Sequence, residues 1–349
     1  MKVLIFSNMY PTEDKPQFGI YVYNQIKYLE LMGYKFKIIS IKSKGNKYIR
    51  YLSFFIRGFI YALVKGKEYR IVHAHYAFPP GLFALMHKIR YKSKMVVTIH
   101  GSDINKMPDI SKIADTCINR VLNNSNSIIC VSENLKRKIN EKYQVEYEKI
   151  KIINMGINNK MFKKDNIELT RTQLNLPHKA SIILFVGNFY QAKGVLDLIE
   201  AFKLSTIKNK LLILIGDDKV ELKVYNLVKN INQENIHIIS PVAQSVVAKY
   251  MNAADLFVLP SYSEGTNLVT LEAISTQTLT LVSDIDAFDY LGKDTVLKFE
   301  VGNVKSLKEG LEKAFYIKDT SKYINNGRLV VTNNSAEEKS KEVALIYKE

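Results

Sequence analysis

The chain of 349 residues is longer than one hydrophobic core usually serves, so its length predicts two domains. Its composition, 47% apolar with few glycines and prolines, excludes a disordered, fibrous or low-complexity protein. The formal net charge of +16 makes nucleic acid, a polyphosphate or an anionic membrane candidate partners, while Cys117 and Cys130 lack the spacing of a disulfide framework or zinc site and fit a reducing compartment.

The first half of the chain alternates short β-rich segments with longer amphipathic ones, which is typical of a parallel sheet covered by helices on both faces. Residues 1–7 are too few for a secretory signal, and no run reaches the ~20 apolar residues that span a bilayer. Strands are predicted at 3–6, 36–41, 71–75, 95–99 and 127–131, with a helix over 20–32 that ends at Gly33.

One segment of the first half, 44–65, combines many aromatic and aliphatic residues with flanking lysines and arginines. Apolar residues cover too much of its circumference for an ordinary surface helix. Residues 1–165 also hold 29 Lys and Arg against 12 Asp and Glu, so all the excess positive charge lies here. Two alternatives stay open. In the first, the helix packs under its own sheet and the lysines of the domain are ordinary solvated surface residues. In the second, the helix lies in a membrane interface and is attracted to anionic lipid or to a lipid-linked diphosphate.

The same alternation of strands and helices begins again at Ser181. Strands are predicted at 182–186, 211–215, 236–239, 256–259 and 280–282, and helices at 195–203, 220–230, 245–252 and 268–275. Asn326, Gly327 and residues 332–335 are predicted to break structure before a charged helix over 336–347. The predicted organisation is a domain over 1–160, a polar linker over 161–178, a domain over 179–335, and a C-terminal helix, 336–349, that packs back on the first domain.

The strongest chemical signal is the sequence SYSEGTNLVTLEA at 261–273, which follows a predicted strand and opens a helix. Glu264 lies on the loop and Glu272 lies eight positions later, about two helical turns away. The first backbone N–H groups of the helix belong to Asn267, Leu268 and Val269. Two carboxylates beside unpaired N–H groups suit a nucleotide sugar, although the same spacing also fits a salt-bridged helix start.

Three further motifs lie on loops that follow predicted strands. The sequence LFVGNFYQAKG at 184–194 contains Lys193, which is alternatively an ordinary surface lysine. His100 lies in VTIHGSD at 97–103, at the strand's carboxyl end, where open α/β sheets bind ligands. A lone histidine is more often structural, which remains the interpretation of His73 and His75. The loop 10–19 contains Gly19, which could merely cap the loop.

These motifs, in order along nearly the whole chain, resemble those of the retaining glycosyltransferases of the large family four group, which have the GT-B fold. The resemblance implies an α/β protein with two Rossmann-like domains that face each other across a cleft, the donor in the second and the acceptor in the first. It implies that Glu264 holds the sugar hydroxyls and Glu272 the ribose. Lys193 would then contact the diphosphate, and His100 would face the transferred sugar.

Several positions depart from the family's pattern. Asn188 stands where an arginine against the diphosphate is usual, and Gly19 stands where a Gly-Gly pair is usual. Residues 275–279 and 284–287 carry bulkier side chains where the family tends to have glycine or proline, and these are expected to narrow or reshape the phosphate and acceptor side of the cleft. A catalytically silent relative that binds a partner glycosyltransferase or a glycan therefore stays open. A nucleic-acid binder, suggested by charge alone, lacks a recognition motif.

The implied activity is retaining transfer of a hexosyl group from a nucleotide sugar, UDP-linked in preference to GDP-linked, to a glycan or polyprenyl-diphosphate-linked acceptor of surface polysaccharide biosynthesis. No cofactor or metal is expected. The pair Asp217 and Asp218 lacks an Asp-x-Asp arrangement with a third ligand and is predicted to lie at a helix start or in a turn. The expected location is cytoplasmic, with peripheral contact to the inner face of the plasma membrane.

Overall fold

The computed structural model describes residues 1–12, 18–41, 46–216, 222–229, 234–265 and 267–349, which form two compact units. The first unit comprises Met1–Gly156 and Ala336–Glu349, and the second comprises Ile157–Ser335. Each described unit contains one parallel six-stranded sheet covered by helices. The pair Asp217 and Asp218 lies outside the described residues.

The strands coincide with the predicted ones to within one residue at each end, and two edge strands, β6 and β12, were not predicted. Long uninterrupted apolar runs made the inner strands recognisable, because strands buried on both faces carry no polar alternation. In chain order the strands are β1 (Lys2–Ser7), β2 (Lys35–Ser40), β3 (Ile71–His75), β4 (Lys94–Ile99), β5 (Ser127–Cys130), β6 (Ile150–Ile152), β7 (Ser181–Val186), β8 (Lys210–Ile215), β9 (Ile236–Ile239), β10 (Leu256–Leu259), β11 (Leu279–Ser283) and β12 (Leu297–Phe299).

The helices connect these strands and cover the sheets. In chain order they are α1 (Ile20–Leu31), α2 (Lys47–Leu63), α3 (Pro80–Tyr91), α4 (Ser102–Asn105), α5 (Met107–Ile110), α6 (Lys112–Asn124), α7 (Glu133–Tyr143), α8 (Ile167–Gln173), α9 (Val195–Leu204), α10 (Leu222–Lys229), α11 (Gln244–Ala253), α12 (Leu268–Ser275), α13 (Val304–Tyr316), α14 (Ser321–Asn333) and α15 (Ala336–Lys348). Helix α15 lies in the first unit, where Val343 and Tyr347 join the core beside Val3 and Ile5.

In each sheet, the order in which the chain adds strands reverses at one point. The first sheet has the order β2-β1-β3-β4-β5-β6, so its order reverses between β1 and β3. The second has the order β12-β11-β10-β7-β8-β9 and reverses between β7 and β10, as in a dinucleotide-binding fold. At such a point the loops at the carboxyl ends of the two strands diverge and leave room for a ligand.

The segment 161–178, expected as a linker, lies inside the second unit. It contains α8, and the buried guanidinium of Arg171 attaches it to the rest of that unit. Arg171 donates to the carbonyl of Ala253 at 2.9 Å and pairs with Asp255 at 2.8 Å. The polar composition of the segment therefore reflects a surface helix with one anchoring cation.

The predicted break at Asn326 and Gly327 is wrong, because helix α14 runs through both residues. A Cβ atom on Gly327 would lie 2.5 Å from Cγ2 of Ile274. The glycine therefore allows α14 to pack closely on α12. Its cost to the helix, about 1 kcal/mol relative to alanine, is offset by this contact.

Candidate functional site

In the second unit, two loops leave the carboxyl ends of β7 and β10, the strands between which the sheet order reverses. The backbone N–H of Tyr262 donates to the carbonyl of Ala192 at 2.9 Å and joins the two loops. Gly194 has φ 64°, and a Cβ atom on it would lie 2.0 Å from the carbonyl oxygen of Pro260. Only glycine fits there, so this residue sets the close approach of the loops.

Lys193 and Glu264, which the sequence places 71 residues apart, meet where these loops join. The Lys193 ammonium lies 2.7 Å from Oε1 and 2.8 Å from Oε2 of Glu264, and the Ser261 hydroxyl also donates to this carboxylate. The Glu264 side chain is only 6% exposed, so it needs such partners. An ammonium has three N–H donors, and the pairing with Glu264 leaves one for an anionic ligand.

Helix α12 begins just after this pair. Asn267 caps the helix, since its side-chain oxygen accepts from the backbone N–H of Thr270 at 3.1 Å. Leu268 and Val269 are the first residues of the helix, whose initial N–H groups have no partner within it. The predicted anion-binding residues therefore lie at a genuine helix start, with Asn267 acting as its cap. Among the described residues, the buried amide nitrogen of Asn267 has no hydrogen-bond partner.

Glu272 lies within α12 and is 9% exposed. Burial raises the pKa of this carboxyl to about 8, so it holds a proton at neutral pH and can donate a hydrogen bond. Gln244, the first residue of α11, contacts it through a long hydrogen bond of 3.4 Å. Sequence reasoning missed Gln244, because a contact across 28 residues between two helices leaves no motif.

Asn188, on the same loop as Lys193, has an exposed side chain, and its carbonyl accepts from the N–H of Tyr190 at 2.8 Å. Tyr290 is a further residue that the sequence did not indicate. Tyr290 is 44% exposed as a whole residue, and the partial burial of its ring, together with the negative charge of Glu264, raises the pKa of its hydroxyl. Tyr290 belongs to a 3₁₀ turn over Asp286–Leu291. This turn overlaps residues 284–287, one of the two segments that depart from the family's pattern.

The two departures from the family pattern have different surroundings. Residues 275–279 follow the end of α12 and lead to the start of β11, so they lie at the opposite edge of the sheet from Glu264. Thr276 and Thr278 are buried and bond to each other at 2.9 Å. The expectation that these residues narrow the phosphate side is therefore wrong. Asp284, in the other departure, pairs with Lys298 at 2.9 Å.

In the first unit, the start of α1 and the loops after β3 and β4 bring aromatic side chains around His100. The rings of Tyr21 and Tyr76 lie 5.0 and 4.6 Å from the His100 ring, and their two hydroxyls are 2.8 Å apart. Burial lowers the pKa of His100 to about 3. The imidazole is therefore neutral at physiological pH and can only exchange hydrogen bonds with a ligand.

His100 is the outermost of three neighbouring imidazoles. His75 stacks between His73 and His100, and its Nδ1 lies 3.2 Å from Nε2 of His100. Nε2 of His75 is buried and has no partner within the described ranges. Because an unpaired buried N–H is rarer than an unpaired acceptor, we assign the proton of His75 to Nδ1, which donates to His100. His100 then carries its own proton on Nδ1.

His73, the innermost ring, has structural contacts on both nitrogens. Its Nδ1 lies 2.6 Å from the Tyr347 hydroxyl and its Nε2 lies 2.8 Å from the Thr98 hydroxyl. Burial lowers the pKa of His73 to about 3, so it too is neutral. Tyr347 comes from the C-terminal helix, which is therefore part of the support for this histidine stack.

Gly19 and Asp103 shape the loops around His100. Gly19 has φ 72°, and a Cβ atom there would lie 2.5 Å from the carbonyl of Met9, so the glycine is required for local packing. Asp103 is buried and accepts from the N–H groups of Gly101 at 3.0 Å and Ala77 at 3.2 Å, which joins the loops after β3 and β4. Burial raises the pKa of Asp103 to about 6.

Two Rossmann-like units with loops of this kind at the carboxyl ends of their strands define the GT-B class of glycosyltransferases. Solved structures agree on the fold. Sucrose-phosphate synthase of Thermosynechococcus elongatus superimposes with a TM-score of 0.80 at 19% identity over 100% of this chain and 98% of that one. Anabaena Alr3699/HepE, in complex with UDP and glucose, gives 0.79 at 14% identity over 100% and 99%.

The family model of glycosyl transferases group 1 matches residues 166–344, just over half of the chain, and the model of glycosyltransferase family 4 matches residues 18–160. The chain therefore belongs to the glycosyl transferases group 1 family, which confirms the resemblance drawn from its motifs.

Two relatives indicate the biological setting. TuaC of Bacillus subtilis, whose name describes it as a teichuronic acid biosynthesis glycosyltransferase, is 25% identical over 89% of this chain and 88% of its own length. The Escherichia coli UDP-Gal:alpha-D-GlcNAc-diphosphoundecaprenol alpha-1,3-galactosyltransferase is 26% identical over 67% and 63%. Because the chain belongs to the same family as these enzymes, it is a glycosyltransferase.

Proposed function

We propose that the chain transfers a hexosyl group from a UDP-sugar to a glycan or lipid-linked acceptor during synthesis of a surface polysaccharide. The observation that carries this proposal is the Lys193–Glu264 pair next to the start of α12. An ammonium and a helix N-terminus suit a diphosphate, and a carboxylate suits sugar hydroxyls. UDP is supported by the HepE complex and by the name of the E. coli relative, which also supports a lipid-diphosphate acceptor.

The proposed reaction keeps the configuration at the anomeric carbon. The bond between that carbon and the diphosphate oxygen breaks, the acceptor oxygen forms its bond on the same face, and the acceptor proton passes to the departing diphosphate. Lys193 and the first N–H groups of α12 stabilise the negative charge that develops on the diphosphate. Glu264 is held by Lys193 and Ser261, which suits it to orient sugar hydroxyls better than to attack carbon.

The remaining predicted residues receive roles in the same proposal. Glu272, with Gln244 beside it, binds the ribose hydroxyls. Neutral His100 exchanges a hydrogen bond with the transferred sugar, and Gly19 shapes the loop near it. The proposal assigns the neutralisation of the diphosphate to Lys193 and the helix, and includes no cofactor or resident metal.

A catalytically silent protein that binds a glycan or a partner glycosyltransferase is the second candidate. The exposed Asn188, where the family usually has an arginine, is the observation that favours it. A silent protein would retain nucleotide binding or lose it, but would release no nucleoside diphosphate with any donor.

The test is release of nucleoside diphosphate from a panel of UDP- and GDP-sugars, with and without bacterial membranes that supply lipid-linked acceptors. We expect release from one or two UDP-sugars, dependent on membranes and lowered by about 10²- to 10³-fold in Lys193→Gln. NMR of the product glycoside then gives the anomeric configuration. Equal background release from wild type and Lys193→Gln with every donor would favour the silent alternative, and inversion would overturn the proposed stereochemistry.

A further inference from the structure

Helix α2 has two apolar faces, of which one packs on its own unit. Phe54 and Ala62 are fully buried, and the Phe54 ring lies 5.5 Å from the ring of Phe83 in α3. Gly58 lies against the same ring, since a Cβ atom there would come within 2.7 Å of it. This face satisfies the first alternative left open by the sequence, a helix packed under its own sheet.

The other face of α2 is an exposed apolar stripe. Tyr48 is 82% exposed, Leu52 is 61% exposed and Ile56 is 50% exposed. At 100° per residue the members of the stripe fall within about 120° of the helix circumference, which no charged residue of α2 enters. The stripe consists of Tyr48, Ile49, Leu52, Ile56, Ile60 and Leu63, together with Phe59.

Basic residues lie on the opposite side of α2 from the stripe and beyond the end of the helix. The charged residues of α2 itself are Lys47, Arg50 and Arg57, with no acidic residue. Just beyond the end of the helix lies a cavity of about 640 Å³. The described residues that line this cavity include Lys67, Arg70, Arg90 and Lys92 and no carboxylate. The cavity adjoins the stripe, because its Tyr91 donates to the carbonyl of Leu63 at 2.6 Å.

We propose that the α2 stripe inserts into the boundary between headgroups and acyl chains of a bilayer, and that the adjoining basic cavity binds the phosphate of an anionic phospholipid. An apolar helix face flanked by cations is the arrangement by which amphipathic helices bind such membranes. The inference deepens the proposed function, since a lipid-linked acceptor is reached from the membrane surface. In the described ranges no helix combines the length and hydropathy needed to cross a bilayer.

Charge decides between a membrane and a second copy of the chain. A symmetric dimer through the stripe would bring the cations of both copies together, and like charges at an interface oppose association. An anionic bilayer instead attracts each Lys or Arg near its surface by about 1 kcal/mol. The first half of the chain, with 29 Lys and Arg against 12 Asp and Glu, therefore fits an anionic surface.

The experiment is sedimentation of the full chain with sucrose-loaded vesicles of phosphatidylcholine alone or with 30% phosphatidylglycerol. We expect wild type to bind the anionic vesicles at least tenfold more strongly, with binding that weakens as salt rises. Leu52→Glu with Ile56→Glu should lower the partition coefficient at least tenfold on anionic vesicles. The control, Leu204→Glu with Leu329→Glu, changes two exposed leucines of the second unit and should leave it unchanged.

A second pair of variants tests the cavity. The first is a triple variant, Arg70→Gln with Arg90→Gln and Lys92→Gln, which should reduce binding to anionic vesicles about tenfold. The second is its control, Lys293→Gln with Lys305→Gln and Lys318→Gln. It removes three exposed charges elsewhere and should have a much smaller effect. Binding of wild type to neither vesicle, or equal binding of the stripe variant, would overturn the inference. The inference would also be overturned if the wild-type chain formed a dimer and the stripe variant were a monomer. Because no sugar transfer is measured, these outcomes are independent of the donor assay.

Discussion

The two sheets present contrasting chemistry at the same topological position. At the reversal point of the second sheet, the loops bring together an ammonium, a carboxylate and a helix start around Lys193 and Glu264. Around the carboxyl ends of β1, β3 and β4 in the first sheet, the loops bring together neutral imidazoles and phenols around His100. One architecture thus supplies charge where a diphosphate is expected and neutral hydrogen-bonding groups where a sugar is expected.

The contrast arises from desolvation. Glu264 stays compatible with burial because Lys193 and Ser261 are hydrogen-bonded to it. Within the described part of the chain, the side chains hydrogen-bonded to His73, His75 and His100 carry no counter-charge, so burial lowers the pKa values of the three imidazoles and keeps them uncharged. The contrast predicts that substitutions in the second unit act through charge, whereas those around His100 act through hydrogen-bond direction.

The largest expected effect is that of Lys193→Gln. Removal of the ammonium should lower kcat by about 10²- to 10³-fold, because the charge on the departing diphosphate loses its main partner. The assay is nucleoside diphosphate release, with folding checked by circular dichroism. Lys208→Gln, at an exposed lysine of the same unit, is the control. A decrease of less than threefold would show that Lys193 does not contact the reacting group.

A smaller effect, about a tenfold lower kcat with little change in donor KM, is expected for His75→Gln, because His100 loses the partner that sets its tautomer. Long-range ¹H–¹⁵N correlation spectra of wild type should show His100 protonated on Nδ1, with no titration between pH 5 and 8 since its pKa is about 3. His237→Gln is an exposed control. A proton on Nε2 of His100, or a titration near pH 6.5, would contradict the assignment.

Glu272→Gln should separate stability from binding. The pKa of Glu272 in the folded chain, about 8, exceeds its ordinary value of 4.5, so its protonated form contributes stability that is complete below pH 4.5 and is lost as pH rises through 8. The amide removes this loss, so the free energy of unfolding should increase by about 4 kcal/mol at pH 8 and stay unchanged at pH 4. Thermal unfolding measures this.

The same substitution should weaken nucleotide binding. The exposed Glu309→Gln is the control and should change neither property. A Glu272→Gln protein that is equally stable at both pH values would mean that the wild-type carboxyl is not desolvated.

The smallest expected effect is an increase in kcat. Asn188→Arg restores the usual arginine on an exposed part of the Lys193 loop and should raise kcat about three- to tenfold by adding a second cation near the diphosphate. Asn188→Gln adds no charge and should not change kcat. If the arginine variant is no faster in the release assay, the loop does not present this position to the leaving group.

The fold followed from the sequence wherever burial leaves a continuous apolar run, as at β8 and β10. Prediction failed where a tertiary contact overrides local propensity. Gly327 lies inside α14 because Ile274 occupies the space of its missing side chain, and the polar segment 161–178 is held in the second unit by Arg171. Neither contact has a local signature.

The candidate site shows the same division. Lys193, Glu264 and Glu272 were identifiable because each lies in a motif next to a strand end. Gln244 and Tyr290 were not, because they approach the site from elements distant in sequence, and only the packing of α11 and of the turn over Asp286–Leu291 brings them close.

Titration calorimetry with UDP tests most directly whether the nucleotide binds where charge is concentrated. Lys193→Gln and Glu272→Gln should each weaken UDP binding about tenfold or more, while His100→Gln should leave it unchanged, since UDP lacks the transferred hexosyl group that His100 is proposed to contact. Equal affinity in all these proteins, or a loss confined to His100→Gln, would contradict the assignment of the donor to the second unit.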